Sequence, residues 1–106
     1  MNRRYSQMSE FELKEEIKEL REKVQQALSM GNMSEMAVYE RKSTMAKAYL
    51  LDPSHFKPGE VYYIKGDDEG GPLKIDFLDG VFAWGIRDGS PEQVAFPISL
   101  LEKRDA

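Results

Sequence analysis

Cysteine is absent from this sequence, and histidine and tryptophan occur once each, at positions 55 and 84. Without cysteine there is no thiolate nucleophile, no iron–sulfur cluster and no cysteine-based zinc site. His55 has no second ligand at a helical spacing and no nucleophile motif around it, so neither a metal centre nor a serine-type triad is expected. No phosphate-binding glycine loop occurs. The glycine-bounded loop GDDEGG at 66–71 carries three acids, which repel phosphate. No apolar run reaches the ~18 residues of a membrane span, and the polar start MNRRYSQMSEFELKEE lacks the apolar segment of a secretory signal. An enzyme built on carboxylates alone would rest on Asp76 or Asp79. Asp79 is accounted for by a turn and Asp76 by an exposed sheet face, and no second acid stands at a catalytic spacing. The expectation is a cytoplasmic protein that is not an enzyme and has no cofactor, metal or membrane partner.

Glycine and proline are scarce in the first half. Seven of the eight glycines and all five prolines follow Asp52. The chain is therefore read as α+β: an N-terminal helical hairpin over 1–52, a linker at 53–58 and a β unit over 59–106. Charge divides at the same place. Residues 1–52 hold nine basic and nine acidic side chains, and residues 53–106 hold six and ten, which gives the net charge of −4.

A first helix is expected over about 9–30. Ser9 and Glu12 have the spacing of a capping box, and Met8 and Leu13 that of a hydrophobic staple. Leu13, Ile17, Leu20, Val24 and Ala27 alternate steps of four and three, which is a narrow apolar stripe. Gly31 suits a left-handed stop. A second helix over about 34–51 completes an antiparallel pair. Ala37, Val38, Met45, Ala48 and Tyr49 make one apolar face of it, and Met36, Tyr39, Ala46 and Leu50 an adjacent one. A helix apolar around most of its girth needs more than one neighbour: helix 1 for one face, and the β unit or a second subunit for the other. Arg41 projects from the first face, either to reach a carboxylate from a packed stem or to anchor an interface.

From residue 60 the period becomes two. Strands are expected at 60–65, 73–78, 81–87 and 93–97, with a short helical turn from Ile98 to Leu101. Asp79-Gly80 reads as a two-residue type I′ hairpin. That turn pairs Phe77 with Phe82, Ile75 with Trp84 and Leu73 with Ile86, and makes their shared face the core. The second face, with Leu78, Val81, Asp76, Ala83, Lys74 and Gly85, is then the flatter one. Either Tyr62 and Ile64 or Val61 and Tyr63 complete the interior. A meander of this length, with one apolar face to cover, fits a small SH3-like antiparallel β-barrel.

Three irregular stretches, AVYERK…MAKAYLLDPSHFKPGEVY (37–63), GVFAWGIR (80–87) and FPISLLEK (96–103), together resemble the YfhH family of Bacillus and its relatives. The resemblance spans nearly the whole chain. It implies a helical hairpin followed by an SH3-like barrel, and it implies no reaction, cofactor or ligand.

Two functions fit these features. The first is an interaction module that binds a protein partner, or a second copy through helix 2. Its contact residues would be Tyr39, Arg41, Tyr49, Tyr62 and Tyr63, since tyrosine offers an apolar ring with a polar tip. The alternative is a nucleic-acid-associated accessory protein. It would use Arg3, Arg4, Lys14, Lys18 and Arg21, the last three on one flank of helix 1. The acidic second half weighs against that alternative, because phosphate neutralisation supplies most nucleic-acid affinity.

Overall fold

The structure is a computed structural model that describes residues 4–67 and 69–103. The chain forms two compact units, 1–50 and 51–106. Among the described residues no helix is long and apolar enough to cross a membrane.

The first unit is two helices, α1 (Glu10–Ser29) and α2 (Met33–Leu50), preceded by a 3-10 turn at Tyr5–Gln7. The capping box is formed. The Glu12 amide donates to the Ser9 hydroxyl oxygen, and the Ser9 amide donates to the Glu12 carboxylate, both at 3.1 Å. Gly31 takes φ 70 and ends α1. Asn32, which the sequence reading passed over, caps α2 by accepting the Glu35 amide at 3.1 Å. Leu13, Ile17, Leu20 and Ala27 of the expected stripe are buried. Leu13 and Ile17 pack with Ala46 of α2, with Tyr5, Met8 and Leu50 closing round them. Ala46 and Leu50 thus place the second expected face of α2 against α1. On the first face Ala48 is buried, whereas Val38 and Tyr49 are exposed.

The second unit is a five-stranded antiparallel sheet: β1 (Val61–Ile64), β2 (Leu73–Asp79), β3 (Phe82–Arg87), β4 (Gln93–Pro97) and β5 (Leu101–Glu102), in the spatial order β4-β3-β2-β1-β5. The last connection, a 3-10 turn at Ile98–Leu100, carries the chain from one edge of the sheet to the other. The sheet is open: among the described residues no pairing joins β4 to β5, so the closed barrel is not formed. β5 is only two residues long, which leaves few ladder groups to complete a ring.

The β2–β3 register corrects the sequence reading. Asp79 pairs with Phe82, Leu78 with Ala83 and Phe77 with Trp84, each partner two residues along β3 from the expected alignment. A type I′ turn centred on Asp79-Gly80 needs positive φ at both residues. Gly80 alone has it, at φ 59, so the turn centres on Gly80-Val81 with the sign pattern of type II′, and Asp79 stays in the ladder. This shift alone keeps Phe77, Phe82 and Trp84 on one face, because opposite Phe77 it replaces Phe82 by Trp84, two residues on. The bulge between Ile75 and Phe77 changes the phase: Ile75 faces Gly85 and Leu73 faces Arg87, so Leu73 and Ile75 leave the face that carries Phe77 and Trp84. The buried face therefore carries Leu73, Ile75, Ala83 and Gly85, while Phe77, Trp84 and Ile86 lie on the other. Tyr62 and Ile64, rather than Val61 and Tyr63, complete the interior together with Val81, Ile98 and Leu101. Gly85 is obligatory there, because a Cβ at that position would run into the Lys74 carbonyl oxygen.

Candidate functional site

With the bulge turning Leu73 and Ile75 inward, an apolar surface remains on the outer side of the sheet. Cross-strand pairs define its rows. Val61, Lys74, Ile86 and Gln93 lie across four strands, followed by Phe77, Trp84 and Ala95, then Asp79, Phe82 and Pro97. Val61, Phe77 and Ile86 are 48%, 46% and 43% exposed. The rings of Phe77 and Trp84 lie parallel, with centroids 6.0 Å apart and planes 5° apart. Each ring holds the other in a fixed pose, so the pair offers a wide, preorganised aromatic surface. An open groove of about 530 Å³ borders this face, with Val61, Lys74 and Ile86 in its wall.

One end of the sheet is fixed by Arg87. Its guanidinium donates to the Asp67 carboxylate at 2.6 Å and to the Gly71 carbonyl at 2.9 Å, and it lies 5.6 Å from the centre of the Phe96 ring. The Arg87 hydrogen bond, with the Gly70 amide adding to it, holds the Asp67 carboxyl below the usual carboxylate range.

A second concavity lies within the helical unit. A groove of about 1000 Å³ is lined by the segment before α1 and by both helices. It brings together three of the expected contact residues, Tyr39, Arg41 and Tyr49, with Arg4 from the alternative set. The Lys23 ammonium sits 5.7 Å from the centre of the Tyr39 ring. Elsewhere on α1, Lys14 pairs with Glu10 at 2.8 Å. Arg41 is exposed and meets no carboxylate among the described residues, so of its two expected roles the structure lacks the buried ion pair.

Residues 3–102 match a family described as protein of unknown function (DUF1811). The chain is also 48% identical, over 99% of its length and 100% of the relative's, to the uncharacterized protein YfhH of Bacillus subtilis (strain 168). The chain belongs to the DUF1811 family. The likeness carried by the three irregular stretches of the sequence is a true relationship.

In this DUF1811 member the remaining expected residues scatter. Tyr62 is 5% exposed. Its hydroxyl donates to Glu60 at 2.9 Å, and its ring meets the Phe56 ring and the Lys103 ammonium, so it is an interior residue. Burial, reinforced by the Glu60 hydrogen bond, pushes its phenol up to about 12. Tyr63 is half-buried on the Val61 face. Lys14, Lys18 and Arg21 are exposed on α1 and do not line the groove that holds Arg4, and Arg3 lies outside the described residues. His55 is exposed, 3.9 Å from the Asp52 carboxylate.

The residues that sequence reasoning missed as surface groups are Phe77, Trp84 and Ile86, while Val61 belongs to one of the two pairs left open for the interior. The available signal was the alternation of Ala83 and Gly85 with Phe82, Trp84 and Ile86. Small residues mark the side where another backbone approaches closely. Both sides of the hairpin carry enough apolar side chains that pattern alone does not choose between them.

Proposed function

We propose that this chain is a non-enzymatic cytoplasmic module, an open variant of the SH3-like scaffold, that binds another protein through the outer face of its sheet. The observation that carries this reading is the stacked Phe77–Trp84 pair standing on an exposed face between Val61 and Ile86. Contiguous exposed apolar surface marks interaction sites, and aromatic residues dominate the binding energy of interfaces because they are large and lose little entropy when fixed. The occupant is a different protein or a second copy. The exposed Val38 and Tyr49 on α2 keep pairing through that helix as a variant of the second case. The nucleic-acid reading has less support, since Lys14 is already paired and the basic flank of α1 meets neither surface.

The test is a comparison of the wild-type chain with F77S/I86S. Sedimentation velocity reports self-association, and affinity capture after nuclease treatment reports a protein partner. The expected result is a dimer or a captured protein that the double substitution removes while the circular dichroism spectrum is retained. A variant that associates like the wild type would refute the reading.

A further inference from the structure

We propose that the groove in the helical unit is a second binding site, one that takes an acidic peptide segment anchored by an apolar side chain. It lies in the other unit from the sheet face and does not depend on the function proposed there. Four cations line it, Arg4, Lys23, Arg41 and Lys42, against two carboxylates, Glu16 and Glu19. One of those carboxylates is occupied, because the Tyr5 hydroxyl donates to Glu16 at 2.8 Å. Among the described residues no ion pair engages any of the four cations. Lys23 rests on the Tyr39 ring, but an isolated hairpin gains nothing from gathering four like charges beside one another, since their mutual repulsion opposes folding.

The floor of the groove has a different character. Leu20, 2% exposed, and the half-buried Met8 and Met45 lie beneath the charged rim, with Tyr39 and Tyr49 at the side. An apolar base under a cationic rim complements a segment whose carboxylates meet the rim while an apolar side chain enters the base. Arg41 can receive a carboxylate through two parallel hydrogen bonds, and methionine adapts its shape to varied side chains. A nucleic acid fits less well. Its backbone needs a continuous basic track, yet Glu19 interrupts this one, and Lys14, Lys18 and Arg21 do not line the groove.

The probe is a random-peptide display library selected on the full chain, with R41E/K42E as the control. Both substitutions fall at exposed helical positions, and R4E, outside both helices, is the second variant. The expected result is enrichment of sequences with two or more Asp or Glu flanking an apolar residue. Binding of the enriched peptide should fall about tenfold or more in R41E/K42E, fall with rising salt, and persist in F77S/I86S. No enrichment, enrichment without acidic residues, or binding that survives the charge reversals overturns the proposal. So does tighter binding of a single-stranded oligothymidine than of the best peptide, which would assign the groove to nucleic acid instead.

Discussion

Phe77 and Trp84 face each other across β2 and β3 with ring planes 5° apart, on the side of the sheet away from Leu73 and Ile75. Their separation from Leu73 and Ile75 follows from a single backbone irregularity, the bulge between Ile75 and Phe77. Because side chains alternate along a strand, the one extra residue puts the largest aromatic group of the chain on the face opposite the buried Leu73 and Ile75.

Gly85 tests the close approach that accompanies this register. A Gly85→Ala substitution places a methyl group against the Lys74 carbonyl. It is expected to cost about 1–3 kcal/mol, the usual penalty of overpacking, measured by urea denaturation followed at the single tryptophan.

The helical unit depends on its stripe and its cap. Leu20→Ala is expected to lose about 2–5 kcal/mol of hairpin stability, and Ser9→Ala about 1 kcal/mol through loss of the capping box. Far-ultraviolet circular dichroism across a denaturant series measures both. The larger effect belongs to Leu20, because it is fully enclosed and the cap is at the surface.

Tyr62 gives an alkaline signature. Its phenol is pushed up to about 12, first by burial and then by the hydrogen bond to Glu60, and burial also raises Tyr5. A raised folded-state value means that this stability is complete below the ordinary tyrosine range near 10 and is lost as the pH rises towards about 12. Ultraviolet titration should show Tyr62 and Tyr5 ionising above the ordinary tyrosine range near 10. Tyr62→Phe should flatten the loss of stability in that window.

Asp67 gives the acid counterpart. The Arg87 hydrogen bond, followed by the Gly70 amide, depresses its folded-state value. Its contribution is therefore present above the ordinary carboxylate range near 4 and is lost as the pH falls through the lower folded-state value. Asp67→Asn should be less stable than the wild type at neutral pH, and the difference should shrink as the pH falls below about 4. Thermal unfolding at a series of pH values reads both effects.

Much of this architecture is legible in the residues. Ser9, Glu12 and Gly31 bracket α1 by local hydrogen bonding and backbone freedom, which need no tertiary information, and the Leu13–Ile17–Leu20 spacing gives its buried side. The strands fall close to where the two-residue period puts them. What the pattern does not contain is phase. Asp79-Gly80 and Gly80-Val81 are both admissible turn centres, and the bulge at Asp76 is invisible to any alternation rule. It is that bulge, rather than the turn centre, that puts Phe77, Trp84 and Ile86 on the face opposite Leu73 and Ile75. The groove was half legible. Tyr39, Arg41 and Tyr49 stood out on α2, but Arg4 and Lys23 join them only once the hairpin folds and the segment before α1 lies alongside.

The central claim is that the aromatic pair stands outside the core, where another protein can reach it. The most direct measurement is the stability of Phe77→Ser in urea. An outward Phe77 loses only its stacking on Trp84 and some strand preference, so a change of about 1 kcal/mol is predicted. A loss of about 3–5 kcal/mol, the cost of emptying a buried phenylalanine site, would place Phe77 in the core and contradict the account.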